Sequence, residues 1–328
     1  MSAATISNYK NTFRHLSNFS KDKKFVLRIK EVSFMTKKQH FKEKKYWDNF
    51  DFRFGSFLYA NKLNDNSARL VMKQLKSFFK YLKSEKGINA GDYHKSFFMP
   101  NEHDKSFFLS QEKLAFLIFS KSLENNLSTV LKRVKDVFVF GCITGLRYSD
   151  LMKLTKNDIE TNFEKTYLHL RSSNTKILLP SFAVSILDKY TEWRKSNTLL
   201  PFFWLQNFNK HIQKIGEIAG WIEPSPQEQY VQGELKTIYA DSKKRKHPRY
   251  CDLITSDTMH RTAVYSMTIQ GMDEQLVKKI SGYKPYSDMF SEKTKFINPI
   301  FTSQLDKIVD QWNEEHNPSR DETGEPYD

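Results

Sequence analysis

Apolar residues in the first part of the chain recur at steps of three and four residues. They fall on one face of each of two consecutive predicted helices: Trp47, Phe50, Phe54, Phe57 and Leu58, then Val71, Leu75, Phe78 and Leu82. The polar stretch NKLNDNS separates the two runs and predicts a turn, with Asn66 as the capping residue of the second helix. The pattern predicts an all-helical domain over residues 1–95.

A break in this periodicity predicts a second domain. Residues 96–109 contain Pro100 and a polar cluster, which favours an interdomain linker, and the second domain is expected over 110–312. Ser110 is the predicted cap of its first helix. A longer helix is expected to end near Gly145, where the chain must take a positive φ. Ser149 is the predicted cap of the short helix that follows.

The pattern changes from helical to alternating between residues 159 and 180. Two β-rich halves flank the polar SSNT and predict a hairpin over 164–180. Another short β-like stretch lies within 221–253, and the tail 313–328 is acidic and poor in apolar residues, which favours a flexible segment. Helical patterns recur in four further places: 181–194, 204–219, 256–269 and 273–281. The expected fold is mainly α with a small β-sheet.

Charge narrows the classes of partner. The 328 residues hold 52 Lys and Arg against 38 Asp and Glu, a net charge of +14. Lysine runs at 21–24, 37–38 and 42–45, with KKRKHPR at 243–249, suit a surface that follows DNA phosphates, although each run alone also fits a solvated face. The usual partners of such a surplus are nucleic-acid phosphates or anionic lipid.

The sequence shows no pattern typical of a metal site, a disulfide framework, a membrane span or a signal peptide. Cys142 and Cys251 lie far apart, so neither a metal site nor a disulfide framework is expected, and no cofactor is predicted. No window reaches the roughly 18 apolar residues of a membrane span, and the N-terminus lacks a signal-like apolar stretch. These features favour a soluble protein of the cytoplasm.

One long string carries a resemblance to a known family. The sequence FVFGCITGLRYSDLMKLTKNDI, residues 138–159, resembles the first catalytic box of the tyrosine recombinases, or phage integrases, and especially that of mobile-element integrases. The resemblance implies a helical, SAM-like core-binding domain followed by a catalytic-type domain, and a bacterial, phage or mobile-element origin. FFLSQEKLAFLI and ITSDTMHRT follow the family's order along the chain.

The family's chemistry requires a set of cationic groups around one nucleophile. A tyrosine attacks the scissile phosphate, while two arginines and a His or Lys stabilise the anionic transition state and a hairpin lysine protonates the leaving oxygen. By resemblance, Arg147 matches the first arginine and Asp150 the acidic position that supports it. Lys176 is the candidate hairpin lysine, and Arg171 is the alternative.

The family's second catalytic box matches ITSDTMHRT, residues 254–262, and the chain departs from the family there at the reactive positions. Asp257 stands where the family has His, and His260 stands where it has the second arginine. Arg261 matches the next residue, which is not the catalytic one, although a local slip in the match would make Arg261 the second arginine. An aspartate here adds negative charge where an anionic transition state would form, which is unfavourable by a few kcal/mol at an effective dielectric constant of roughly 20.

The C-terminal motifs depart in the same way. After Gly271 and Gly282, the resemblance expects His or Trp, and the chain has Tyr283. Lys293, or Glu292 if the count shifts by one, stands at the position of the nucleophilic tyrosine. Tyr283 and Tyr286 remain as candidates for a relocated nucleophile.

The resemblance therefore implies a DNA-associated protein that binds double-stranded DNA, has a recombinase fold and has lost strand-cleaving activity. Two alternatives remain: an active site-specific recombinase that uses shifted residues, and a structural or interaction protein that reuses the fold. Whether the protein is an active enzyme therefore stays open at the level of sequence. Homo-oligomers on DNA are expected in either DNA-binding case. Two interpretations remain open for the apolar Ile300, Phe301, Leu305 and Ile308: a C-terminal segment exchanged between protomers, or ordinary core.

Overall fold

The chain folds into two units, and one segment of sequence crosses from the second unit to the first. The first unit comprises Met1–His103 with Pro226–His247, and the second comprises Asp104–Ser225 with Pro248–Asp328. The computed structural model describes residues 3–101, 107–162, 165–170, 175–190, 197–238 and 247–281.

Three helices build the first unit: α1 (Ala3–Asp22), α2 (Lys37–Ala60) and α3 (Asp65–Glu85), followed by a 3₁₀ turn at Tyr93–Ser96. Thr36 caps α2 with a capping box, in which its hydroxyl accepts from the Gln39 N–H. All five apolar residues predicted for the buried face of α2 are buried. They pack with Phe19 of α1, whose ring centroid lies 5.2 Å from that of Phe54.

Two details of α3 differ from the prediction. The capping residue is Asn64, whose side chain accepts from the Ser67 N–H at 2.8 Å, and not Asn66. Phe79 is buried, whereas Phe78 is 39% exposed. The neighbouring Phe79 is favoured because its ring stacks on the buried His94 at 5.1 Å and meets Trp47 edge-on.

A two-stranded antiparallel sheet completes the first unit. Strands β4 (Gln227–Val231) and β5 (Glu234–Ile238) pair through a tight turn at Gln232 and Gly233, where both residues have positive φ. The backbone N–H groups of these two residues donate to the two carboxylate oxygens of Asp65, at 2.7 and 2.9 Å. Asp65 is 2% exposed and also accepts from the Tyr59 hydroxyl.

This hairpin corrects the domain boundary expected from the sequence. The sequence pattern places residues 226–247 in the second domain, but they belong to the first compact unit. The physical reason is the pairing of the turn amides with Asp65, reinforced by the Asn64 amide, which donates to Gln229 Oε1 at 2.9 Å. The two residues of this second bond are 165 positions apart in sequence, so no local sequence pattern predicts it.

The second unit is built around α6 (Thr129–Thr144). Every residue from Val134 to Thr144 is buried, including the charged Lys135 and Asp136. Asp136 accepts from the Tyr190 hydroxyl at 2.8 Å, and Lys135 pairs with Glu124. The helices of this unit that surround or extend its core are α4 (Gln111–Phe119), α5 (Lys121–Asn126), α7 (Tyr148–Leu151), α8 (Ser181–Asp188), α9 (Leu205–Ile218), α10 (Ser256–Ile269) and α11 (Glu274–Ser281).

A three-stranded antiparallel sheet forms the other part of the second unit. The predicted hairpin is present as β2 (Lys165–Leu170) and β3 (Thr175–Leu178), and β1 (Ile159–Asn162) adds a strand on the other side of β2. The fold is therefore mainly helical with small antiparallel sheets, as predicted.

The segment expected as a linker is tied down at both ends. Phe97 is buried in the core of the first unit, and the Phe98 N–H donates to the carboxylate of Asp51. At the other end the Leu109 N–H donates to Thr262 Oγ1 at 2.9 Å, and Ser110 caps α4 as predicted. In the described part of the chain, no helix combines the length and apolar character needed to cross a bilayer.

Candidate functional site

The TGLR string of the first box forms a sharp turn between two helices. Gly145 ends α6 in the left-handed region at φ 69°, as predicted, and its N–H donates to Gly141 O. A Cβ at this glycine would lie 3.0 Å from Met267 Cε, so both conformation and space favour glycine. Arg147 follows as the N-terminal cap residue of α7 and is exposed. Ser149 does not cap this helix, because it lies inside it.

The second box forms the start of α10, which packs on α6 and α7. Thr255 begins the helix with a capping box that includes Thr258. The Ser256 N–H donates to the side-chain oxygen of Asn209 on α9, at 2.8 Å. Asn209 therefore satisfies one of the free N–H groups of the α10 N-terminus. Sequence reasoning missed Asn209, because the bond spans 47 residues and has no local signal.

His260 joins the two boxes. Its side chain is 3% exposed, and Nδ1–H donates to the Gly145 carbonyl at 2.5 Å. Burial lowers the pKa of the imidazole, and nearby Arg147 and Arg261 lower it further, while the bond to Gly145 and the charge of Asp257 act in the opposite direction. The imidazole is therefore neutral and buried, and its hydrogen bond stabilises the turn that precedes Arg147.

The structure brings four of the candidate residues together. Arg147, Asp257 and Arg261 all lie within electrostatic range of His260. Arg147 and Asp257 are exposed, and Arg261 is half-buried. Cationic and anionic side chains therefore surround His260, and Arg147 is more exposed than Arg261. Asp150 lies 3.8 Å from Lys153 through Oδ1 and Nζ.

Lys176 has a partner that the sequence did not suggest. It lies on β3, half exposed, and its ammonium is 2.6 Å from a carboxylate oxygen of Glu160 on β1. The two residues lie on strands that flank β2, and their long side chains reach across it. The ion pair lowers the pKa of Glu160. Arg171, the alternative hairpin cation, lies outside the described residues.

Arg249 of the basic run 243–249 is also engaged within the chain. Its guanidinium contacts Glu217 at 2.8 Å and Asp252 at 2.9 Å, and these bonds raise its pKa. Residues 243–246 of that run lie outside the described residues. So do the candidates of the C-terminal motifs: Gly282, Tyr283, Tyr286, Glu292 and Lys293, with the apolar residues of 300–308.

Aromatic residues pack next to the turn that carries Arg147. The Tyr148 hydroxyl donates to the Phe203 carbonyl at 2.5 Å, and the Tyr148 ring lies 4.8 Å from that of Phe208. Burial raises the pKa of Tyr148 to about 12, so the phenol stays protonated. Across the described ranges, no group of three or more His, Cys, Asp or Glu side chains could hold a metal ion.

Comparison with known proteins places this architecture. No family model matches the sequence, and no curated protein matches it. Several solved structures have a similar fold. A Tn1549 transposon integrase in complex with transposon right-end DNA superposes with a TM-score of 0.53 at 13% identity, covering 94% of each chain. A lambda integrase dimer bound to a COC′ core site gives 0.52 at 12% identity, covering 92% of this chain and 93% of that chain. The chain therefore has the fold of the tyrosine recombinases and integrases.

Proposed function

We propose that this protein binds double-stranded DNA and does not cleave it. The observation that carries the proposal is the state of His260. At the position that the resemblance assigns to the second arginine, the side chain is a buried, neutral imidazole bound to the Gly145 carbonyl. A phosphate clamp needs a cation that reaches the anion, and this residue supplies neither charge nor exposure.

The neighbouring Asp257 supports the same conclusion. It is exposed at the first turn of α10, near His260 and the Arg147 turn. A carboxylate there repels the extra negative charge that develops on a phosphate during transfer. Arg147 remains as one exposed cation that would hold a ground-state phosphate. Sequence matching adds the loss of the nucleophile, since Lys293 or Glu292 stands at the tyrosine's position.

The distribution of charge supports DNA binding and locates it. Residues 1–103 and 226–247 contain 26 Lys and Arg against 12 Asp and Glu, whereas the remaining residues contain 26 of each. The whole surplus of +14 thus belongs to the first unit, and the unit with the recombinase boxes is neutral. Phosphate neutralisation supplies most non-specific DNA affinity, so the first unit would provide it.

The similar solved structures support the partner. The Tn1549 integrase is in complex with transposon-end DNA, and the lambda integrase is a dimer bound to a core site. We extend the DNA partner to this chain, together with assembly of more than one copy on DNA. A structural role without nucleic acid is disfavoured because it leaves the concentrated charge of the first unit unused.

One experiment separates binding from cleavage. The chain is incubated with a nicked suicide DNA substrate, and covalent adducts are sought by denaturing gel and mass spectrometry, beside a gel-shift assay on the intact duplex. We expect a shifted complex and no adduct. A phosphotyrosyl adduct would overturn the inactive assignment, and its mapping to Tyr283 or Tyr286 would identify a relocated nucleophile. No shift at low salt would overturn DNA binding.

A further inference from the structure

Two large aromatic side chains stand exposed on the second unit. Phe202 is 59% exposed and Trp204 is 74% exposed, and their ring centroids lie 5.5 Å apart at 82°. Most tryptophans bury the greater part of their surface, as Trp47 and Trp221 do here at 5% and 7% exposure. Neither fold nor proposed function accounts for this pair so far.

The backbone under the pair is held in place. Phe203 lies between the two residues in sequence, in the segment that precedes α9. Phe203 is half-buried beside Phe208, and its carbonyl accepts from the Tyr148 hydroxyl. Trp204 is the N-terminal cap residue of α9 at φ −72° and ψ 134°. The two exposed rings thus contact each other on a segment whose backbone is held by Tyr148.

The same contacts join the pair to the boxes of the candidate site. Tyr148, which holds Phe203, directly follows Arg147 in sequence. On the other side, Asn209 of α9 binds the first N–H of α10, one residue before Asp257. The aromatic segment and the helix that follows it are therefore hydrogen-bonded to the two elements that carry Arg147 and Asp257.

We propose that Phe202 and Trp204 form a stacking site for an unpaired nucleobase of bound DNA. The inference rests on the proposed function, because DNA must reach the Arg147 surface. A base offers a flat π face to an indole ring whatever its identity. In an intact duplex the bases are stacked on each other, so this site would engage a base only at a bulge, gap or end. The adjacent Leu205 is 47% exposed, but three side chains are still too small a patch for a stable protein–protein interface.

The charge balance of the second unit gives the inference its thermodynamic signature. This unit has no net positive charge, so its share of DNA affinity comes from individual contacts, such as the one proposed for Arg147, and not from a general excess of cations. Stacking is an uncharged interaction, and it depends little on salt. The preference for an unpaired base should therefore persist at salt concentrations that weaken duplex binding.

The test compares two DNA probes with four forms of the full chain. One probe is an intact duplex, and the other is the same duplex with a single-base bulge. The forms are the unaltered protein, Trp204→Ala, Trp204→Phe and, as a matched control, Ile222→Ala, which removes another exposed apolar side chain of the second unit, 55% exposed. Affinity is measured by fluorescence anisotropy of labelled DNA at several salt concentrations.

We expect the unaltered protein to prefer the bulged duplex by about tenfold, as one stacked base allows. Trp204→Ala should lose that preference and keep its duplex affinity, Trp204→Phe should keep most of it, and Ile222→Ala should keep all of it. Equal binding of both probes by the unaltered protein overturns the inference and leaves DNA binding intact. Absence of binding to either probe overturns the proposed function itself. A change in self-association of Trp204→Ala, with the bulge preference retained, would assign the pair to a protein interface and also overturn the inference.

Discussion

At the scale of single residues, His260 has a structural role at the position that the resemblance assigns to the second arginine. A buried imidazole bonded to a backbone carbonyl fixes the turn before Arg147, but the same burial removes its charge. The side chain that would replace it in an active enzyme is longer and always charged. Arginine at this position would have to leave the interior, so a single substitution here would disturb the contact between α10 and the Gly145 turn.

His260 predicts a pH dependence of stability. Its pKa is lowered in the folded protein, so below the unfolded value of about 6.5 the unfolded chain binds a proton that the folded chain resists. The free energy of unfolding should therefore fall as pH drops from 7 towards 5, by up to about 1.4 kcal/mol per pH unit for this residue. Urea titrations at several pH values measure this.

The variant His260→Asn provides the comparison, because its amide can still donate to the Gly145 carbonyl but does not titrate. We expect a smaller loss of stability with falling pH in this variant. Some slope should remain, since the pKa values of His15 and His94 are also lowered by burial. An identical slope in the two proteins would contradict the assignment.

Arg147 predicts a loss of DNA affinity without a loss of structure. It is exposed at the start of α7, and a charged hydrogen bond to phosphate contributes about 1.5–3 kcal/mol. Arg147→Ala should therefore weaken DNA binding by roughly ten- to a hundredfold with an unchanged circular-dichroism spectrum. Lys153→Ala, an exposed cation nearby in sequence, is the control and should have a smaller effect. Unchanged affinity of Arg147→Ala would mean that no phosphate reaches this residue.

At the scale of elements, the hairpin of β4 and β5 is the feature that most alters the expected organisation. Its chain enters from the second unit and returns to it, yet its turn amides are held by Asp65 of α3. The carboxylate is well placed because it lies in the first turn of α3, where negative charge is favoured by the helix dipole.

Asp65→Ala is expected to release this hairpin. The change leaves two backbone N–H groups and the Tyr59 hydroxyl without their acceptor, at a cost of about 1–3 kcal/mol in the free energy of unfolding. Limited proteolysis should show faster cleavage within 226–247. Asp65→Asn keeps one acceptor oxygen, so its cleavage rate should lie between those of the unaltered protein and Asp65→Ala. Asp92→Asn, which removes an exposed ion pair with Lys95, should change the cleavage rate little. Cleavage rates equal to those of the unaltered protein would refute the role of Asp65.

At the scale of the whole molecule, the division of charge predicts where salt dependence originates. Substituting the exposed Lys37, Lys38 and Lys42 by Gln should lower both DNA affinity and the slope of log K against log salt. The slope should fall by about 0.9 for each phosphate that the protein no longer neutralises. The matched triple change of exposed lysines in the second unit, Lys153, Lys156 and Lys210, should have a weaker effect. Equal effects of the two sets would show that affinity is not concentrated in the first unit.

Much of the fold was determined by the sequence itself. The apolar spacing in α2, the cap at Ser110, the glycine that ends α6 and the alternation in β2 and β3 all appear where local pattern placed them. Each depends on backbone conformation or on burial of one face, and both are properties of neighbouring residues. The string around Arg147 likewise indicated the fold that the solved structures share.

Only the tertiary structure decided which distant groups meet. The bonds of His260 to Gly145, of Asn209 to the start of α10 and of Asp65 to the hairpin turn join residues far apart in sequence. The pairing of Lys176 with Glu160, the exposure of Trp204 and the membership of 226–247 in the first unit follow from the same long-range packing. Hydrogen bonds and ion pairs act over a few ångströms in space and carry no periodic trace along the chain, so these partners became visible only in three dimensions.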